Sequence, residues 1–408
     1  MQQNSNKEPA FAWNEVQFLV GNRKTITQME HVAVKKPFDD EIITFLNDFS
    51  SRIMKDREAK QYPDIVTLGF WIRKSSLLSL KKRFAKEDGN IRLGRGVIFH
   101  VAPSNVAVNY MYSLVSGLLM GNANIVRASS KEFTQVDRLN GLLIESLEAY
   151  PQMKPYIAIV RYERKQAIND YFSAMADVRV VWGGDQTIAE LRKSPLKPRA
   201  MEVTFADRYS LAVIDSDELL AMTNLSDIAN QFYNDTYLTD QNACTSPKVM
   251  IWKGSQKEQA KEVFWQAVWK TVHEKYTFQS IMGVNKLTSS YQAAVTFEGA
   301  QIIEMPDNLV TRVKLIALPA DIMELREHSG FFFEYDCDDV MELSELCNDE
   351  RIQTITMLGD KEWLMPLLMS GIKGIDRIVP IGASMDFDLL WDGYDLSERF
   401  TRRVYVNE

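Results

Sequence analysis

Residues 94–131 read GRGVIFHVAPSNVAVNYMYSLVSGLLMGNANIVRASSK. Residues 96–102 are apolar and rich in β-branched side chains, the composition of a strand buried on both faces. Pro103 and Ser104 break it. Residues 105–120 are apolar almost all round, which predicts a buried helix, and Gly121-Asn122 supplies a helix C-terminal signal. Residues 124–128 read as the next strand. A strand–helix–strand unit predicts a parallel sheet. Asn105 falls at the mouth between strand and helix, where α/β proteins place ligand-binding groups. A helix cap is the other reading of that position.

The same alternation extends in both directions. Residues 1 to about 90 read as mainly helical, with apolar positions at helical spacing in 38–53 and in 68–84. The basic run Lys81-Lys82-Arg83 reads as a solvated face. Strands are predicted at 97–101, 125–128, 157–161, 178–181 and 211–214, the pattern of a doubly wound α/β domain. A helix over 223–236 leads to a second α/β set with strands at 249–252, 301–304, 313–318, 331–335, 355–358 and 378–381.

Between the two sets lies Asp-Gln-Asn-Ala-Cys-Thr-Ser-Pro, residues 240–247. It places Cys244 among small and polar residues, just before a short strand starting at Lys248. A structural cysteine usually sits among apolar neighbours. A nucleophilic one favours an open, hydrogen-bonding setting that supports its thiolate. This composition points to a reactive thiol, whereas Cys337 and Cys347 lie among apolar or acidic residues and read as structural.

Bulk properties bound the function. The chain has 408 residues, room for two domains, with 46% hydrophobic and 25% charged residues, as in ordinary globular proteins. A net charge of −8 argues against a nucleic-acid surface. Three cysteines without a Cys-x-x-Cys pair fit a reducing cytoplasm. The polar amino terminus lacks the apolar core of a signal peptide, and the apolar stretch 106–120 is too short to span a bilayer. His31, His100, His273 and His328 show no metal-ligand spacing, so no metal site is expected. His100, flanked by Ile98, Phe99 and Val101, reads as a satisfied core histidine.

Together these segments resemble the acyl-CoA reductases related to the LuxC fatty acid reductase, in the aldehyde dehydrogenase superfamily. The resemblance is carried by 96–105, Gly121-Asn122, Val126-Arg127 and 240–247, with Tyr62-Pro63, LGFWIRK at 68–74, Trp182 to Asp185, Gln353-Thr354-Ile355 and Trp391-Asp392-Gly393 in matching order over most of the chain. It implies an aldehyde dehydrogenase-like α/β fold of two doubly wound domains with the active site between them. The boundaries expected are 1–215 for the amino-terminal helices and nicotinamide-binding domain, 216–385 for the cysteine domain, and 386–408 for a carboxy-terminal segment. The alternating basic and apolar residues at 401–406 suit an edge strand for oligomerisation, as in that superfamily.

The resemblance also assigns roles. Cys244 would accept the acyl group of a long-chain thioester and release the carrier thiol, since sulfur is a strong nucleophile even when mostly protonated. The Asn105 side chain and the Cys244 backbone N–H would hold the oxyanion. Glu202 matches a superfamily general base, but Val203-Thr204-Phe205 departs from the pattern that normally follows it, which leaves a positioning or proton-transfer role. Trp182, Gly183 and Gly184 would form the cofactor turn. Arg127, with Ser129, Ser130 and Lys131, would hold a ribose 2′-phosphate, which favours NADPH while leaving NADH open. Glu327 and Gly330 would contact the nicotinamide ribose. The implied partners are an acyl-CoA or acyl-protein thioester, further copies of the chain, and an acyl-protein synthetase. The rival readings are an aldehyde-oxidising dehydrogenase using the same cysteine and an inactive scaffold subunit.

Overall fold

Val97–Val101 forms a strand in which every residue is buried. In a computed structural model of the chain, which describes residues 10–85 and 89–406, this strand belongs to the first of two compact units. That unit runs through Ala206 and resumes at Tyr394; the second is Asp207–Gly393.

In chain order the first unit holds β1 (Gln17–Val20), β2 (Ile91–Gly94), β3 (Val97–Val101), β4 (Ala123–Arg127), β5 (Ile157–Arg161), β6 (Val178–Trp182) and β7 (Met201–Phe205). Six of these make one sheet in the order β1-β5-β4-β3-β6-β7. All neighbours are parallel except β1, which runs antiparallel to β5. The central strands read as apolar runs because helices cover both faces of a parallel sheet. β2 lies outside this sheet and pairs antiparallel with Thr401–Val404. The tail expected to seek another subunit thus has a partner strand within its own unit.

The second unit contains β8 (Tyr209–Asp215), β9 (Pro247–Lys253), β10 (Gln301–Ile303), β11 (Thr311–Leu315), β12 (Phe331–Asp336), β13 (Ile352–Leu358) and β14 (Arg377–Pro380). Their order is β10-β11-β12-β9-β8-β13-β14, parallel apart from the β10–β11 pair. Successive side chains alternate between faces. Leu211, Val213, Val249, Ile251, Phe331 and Phe333 build one core, and Ala212, Ile214, Met250, Trp252 and Phe332 build the other.

Several expectations shift. The strand at 211–214 was grouped with the amino-terminal domain, but β8 pairs with β9 and β13, so the second unit starts at Asp207 rather than 216 and continues to Gly393 rather than 385. The single helix expected over 68–84 is two, Pro63–Trp71 and Lys74–Phe84. The break is fixed from outside: Asn47 Oδ1 accepts from Lys74 N at 2.9 Å, and Ser76 Oγ donates to Phe70 O at 2.9 Å. The buried helix starts at Asn109, not 105.

The Gly121-Asn122 signal has a larger role than ending that helix. Gly121 holds φ +81, and a Cβ there would lie 2.1 Å from Lys35 O, so only glycine fits. Asn122 is fully buried. Its Oδ1 accepts from Arg95 N at 2.6 Å and Gly96 N at 3.1 Å. Its amide nitrogen donates to Gly117 O, Met120 O and Phe400 O. One side chain therefore joins the β2–β3 turn, the helix end and the carboxy-terminal segment. Asn122→Ala should lower unfolding stability by roughly 2–4 kcal/mol, because several buried backbone groups lose their partner at once. Urea denaturation followed by circular dichroism checks this; a loss below about 1 kcal/mol would contradict it.

Candidate active site

In the first sheet, β4 and β5 lie on one side of β3, and β6 and β7 on the other. The strand order reverses between β3 and β6, and such switch points open a crevice at the carboxyl ends of the strands. Val101 stands opposite both Arg127 and Val181, so those ends are level. Asn105, Arg127, Ser129, Lys131, Trp182, Gly183 and Gly184 all lie at or just beyond this edge.

Asn105 is exposed, in the loop between β3 and the helix Asn109–Leu119. That helix has Val108 at its cap position, without a side-chain cap bond, so Asn105 is not its cap. Trp182 ends β6. Its ring stacks on Phe205, with centroids 3.7 Å apart, and its Nε1 donates to Ser113 Oγ at 3.0 Å. Ser113 Oγ lies 2.7 Å from His100 Nδ1, and His100 Nε2 lies 3.0 Å from Asn124 Oδ1. The Asn124 amide nitrogen donates to Asn122 O, so its Oδ1 is free to accept from Nε2–H, and Nδ1 accepts from Ser113. Burial pushes His100 down to about 4, so the ring is neutral at pH 7 and the chain of bonds holds Trp182 in place.

Gly183 and Gly184 join β6 to the helix Asp185–Arg192, and a Cβ on Gly184 would meet nothing within 4 Å. At the end of β4, the Arg127 guanidinium lies over the Tyr162 ring at 4.6 Å and donates to Tyr162 O at 3.3 Å. Its Nε is buried without a hydrogen-bond partner. So is Nη2 of Arg161 at the end of β5, whose Nε donates to Ser129 O. Ser129 Oγ accepts from Lys131 N at 3.0 Å.

Glu202 is elsewhere. It is the second residue of β7, opposite Arg179, three residues short of the crevice and so roughly 10 Å from it at about 3.3 Å per residue. Its carboxylate accepts from Arg179 at 2.8 and 2.5 Å and from Arg192 at 2.7 Å. Two guanidiniums thus hold the Glu202 carboxylate as an ion-paired group of β7.

In the second unit, Cys244 lies on the loop between the helix Leu225–Asp235 and β9. The loop turns through Asp240 and Gln241 at φ 52 and 58, left-handed backbone that costs roughly 1 kcal/mol or more per residue. Gln241, missed in the sequence, offsets this. Its buried amide donates to Pro247 O and Phe331 O and accepts from Gly330 N and Phe331 N, all within 2.9–3.1 Å. Its own N–H donates to Thr236 O at 2.8 Å. The facing turn is equally constrained. Ser329 has φ 59, and Gly330 at φ 86 leaves no room for a Cβ, which would meet Tyr237 Oη at 2.2 Å. Glu327 opens this turn, accepting from Ser289 Oγ at 2.7 Å and His328 N at 2.9 Å. Lys286, buried, donates to Ser329 O at 2.8 Å behind it.

Cys244 is the one partly exposed cysteine; Cys337 and Cys347 are buried in the core. Its surroundings differ from the thiolate-favouring setting expected. Burial first, then the carboxyl groups of Asp392 and Asp207, push its thiol up to about 12. Asp392, buried and hydrogen-bonded by Gln353 Nε2, is itself pushed up to about 7 by burial. Asp392 and Asp207, far apart in sequence, thus both act on the cysteine. Cys244 O accepts from Ser210 Oγ at 2.7 Å, and Thr245 Oγ1 lies 3.3 Å from Met385 Sδ. Among the described residues no group of three or more His, Cys, Asp or Glu is placed to hold a metal ion. No helix there is long and apolar enough to cross a membrane.

A family model described as acyl-CoA reductase (LuxC) matches residues 24–278. Solved structures supply fold relatives. Lactaldehyde dehydrogenase from Escherichia coli is 12% identical, covers 94% of this chain and 89% of its own, and superposes with a TM-score of 0.62. An NAD-dependent benzaldehyde dehydrogenase from Corynebacterium glutamicum is 14% identical, with 94% and 88% covered at 0.62. The P. syringae indole-3-acetaldehyde dehydrogenase AldA, a variant in complex with NAD+ and IAA, is 11% identical, with 92% and 84% covered at 0.64. These likenesses show that the fold is of the aldehyde dehydrogenase type. No curated protein matches the sequence at a significant level.

Two outcomes follow from the electrostatics. Alkylation of Cys244 by iodoacetamide in the free protein should rise steadily with pH, with no plateau up to pH 10; a plateau near 8 would contradict the raised thiol. Asp392→Asn keeps the acceptor for Gln353 and removes a neighbouring negative charge. It should speed alkylation at pH 8 by about three- to tenfold, the effect of a half to one pKa unit.

Proposed function

The chain belongs to the LuxC family of acyl-CoA reductases, and from that membership we propose that it reduces a long-chain fatty acyl thioester to the aldehyde through an acyl-enzyme on Cys244, with NADPH as reductant. The observation that carries the reading is Cys244 itself: a partly exposed thiol at the head of β9, on a loop whose backbone is locked by a buried amide. Cys244 Sγ attacks the thioester carbonyl, its proton passes to the carrier sulfur, and the carrier departs as the free thiol once the tetrahedral adduct collapses. The Cys244 N–H would stabilise the oxyanion. A bound nicotinamide supplies the hydride that releases the acyl group as aldehyde and returns the cysteine sulfur.

The cofactor has a fitting setting. The switch-point crevice, the open Gly184 turn and the Trp182 platform suit a dinucleotide. The unpartnered N–H groups of Arg127 and Arg161, beside Ser129 and Lys131, suit a ribose 2′-phosphate and favour NADPH over NADH. Glu327 would contact the nicotinamide ribose from its turn. Oxidation of aldehydes to acids is disfavoured because hydrolysis of the acyl-enzyme needs a water-activating base, and Glu202 is engaged by two arginines. On this reading the acyl group arrives as acyl-CoA or from an acyl-protein synthetase, and the chain works as a homo-oligomer in the cytoplasm.

Consumption of NADPH with acyl-CoA of graded chain length should yield aldehyde and vanish in Cys244→Ala. No turnover by the wild type with any thioester, supplied free or by a synthetase, would sink the proposal. Arg127→Ala should raise KM for NADPH about tenfold and leave KM for NADH within about twofold, the signature of a lost phosphate contact worth about 1.4 kcal/mol.

A further inference from the structure

Lys248 is the first inward cation behind the cysteine loop. It sits on β9, four residues after Cys244, and is 7% exposed. Its ammonium donates to Gln241 O at 3.1 Å and Glu327 O at 2.7 Å and lies 3.2 Å from His328 Nδ1. Three acceptors thus take its three protons. No ion pair among the described residues includes it, unlike the buried Lys261, which is paired with Glu258 and Asp336. A buried cation neutralised only by carbonyls and an imidazole is costly, and an apolar side chain of similar length would fill the same space more cheaply.

Its bonds join two segments that the reaction needs. Gln241 is the left-handed residue from which the chain turns toward Cys244. Glu327 and His328 form the turn before β12, itself hydrogen-bonded to the loop through Ser329 N and Asp240 O. His328 Nδ1 also lies 3.0 Å from Gln241 O. An ammonium that donates to both keeps the ring proton on Nε2; once the ammonium is lost, the ring can donate to the carbonyl only in its other tautomer.

We propose that Lys248 is a positioning residue for acyl transfer: its ammonium ties the Gln241 carbonyl to the Glu327–His328 turn and so fixes the angle at which the loop presents Cys244. The inference rests on Cys244 being the nucleophile. The charged or titratable groups facing Lys248 are Arg326, Glu327, Asp207 and His328. Burial, reinforced by Arg326, pushes its ammonium down to about 7. The clamp is therefore complete below that pH and is lost as pH rises through it.

The full-length protein tests this with K248M and K248R, using steady-state kinetics with a long-chain acyl-CoA, iodoacetamide alkylation of Cys244 and thermal unfolding. K248M should lower kcat about a hundredfold with KM for acyl-CoA within about threefold, yet speed alkylation several-fold, because a slack loop exposes sulfur while presenting it badly. K248R should restore at least about tenfold of the lost kcat. Wild-type kcat should fall above pH 7, and K248R should remove that fall, since a guanidinium stays charged. A folded K248M that matches wild type in both kcat and alkylation overturns the clamp and leaves the reductase intact. If wild type turns over no thioester, the reductase reading falls and the role in acyl transfer falls with it, while altered alkylation in K248M would still show that Lys248 holds the cysteine loop. Should K248M fail to fold, K248R decides, and an unchanged fall above pH 7 overturns the clamp.

Discussion

The buried side-chain amide of Gln241 is the joint on which the cysteine loop depends. Four hydrogen bonds anchor it to Pro247, Gly330 and Phe331, at the starts of adjacent strands β9 and β12. An amide presents two donors and two acceptor sites, so here its capacity is fully used. Because both strands lie in a sheet buried on both faces, they cannot shift to accommodate the loop; the loop must conform to them. Its left-handed backbone at Asp240 and Gln241 follows from that, and so does the position of Cys244 three residues on.

The same logic governs the first unit in a different chemical form. There the fixed element is the level carboxyl edge of β3, β4 and β6, and the group held against it is Trp182. The chain from Asn124 through His100 and Ser113 to the indole contains no ionised member at pH 7. The cysteine side, in contrast, is surrounded by groups near their titration points: Asp392 and Lys248 are both moved to about 7. The carboxyl edge of the first sheet is held by a proton-insensitive network and the cysteine loop by a proton-sensitive one.

Much of this was legible in the sequence. The buried strands were, since parallel strands covered on both faces are short apolar runs, and β3 and β5 match their expected bounds. So was the grouping of Asn105, Arg127 and Trp182 to Gly184 at one sheet edge, which follows once the strands are placed. The start of the buried helix was not, because Val106-Ala107-Val108 is as apolar as the helix it precedes. β7 was not assigned although Met-Glu-Val-Thr-Phe alternates as a half-buried strand does; the arginine partners of its Glu202, from β6 and the next helix, were not legible. The raised Cys244 thiol was not legible in the octapeptide either. Local composition does not report burial, which raises the thiol most, nor the charges of Asp392 and Asp207, well outside that segment.

The pairing of β2 with Thr401–Val404 has a consequence in time. The second unit is one continuous stretch of chain, whereas the first is interrupted by it and resumes at Tyr394. During synthesis at about 5–20 residues per second, the intervening segment takes about 10–40 s to emerge. Throughout that interval β2 presents an unpaired edge, the kind of surface on which nascent chains associate wrongly. The exposed charge on Arg402 and Arg403 blunts the strand that arrives last, but β2 itself must wait. Completion of the first unit thus waits on synthesis of the whole second unit, and slowing translation across that unit would lengthen the period in which β2 most needs a chaperone.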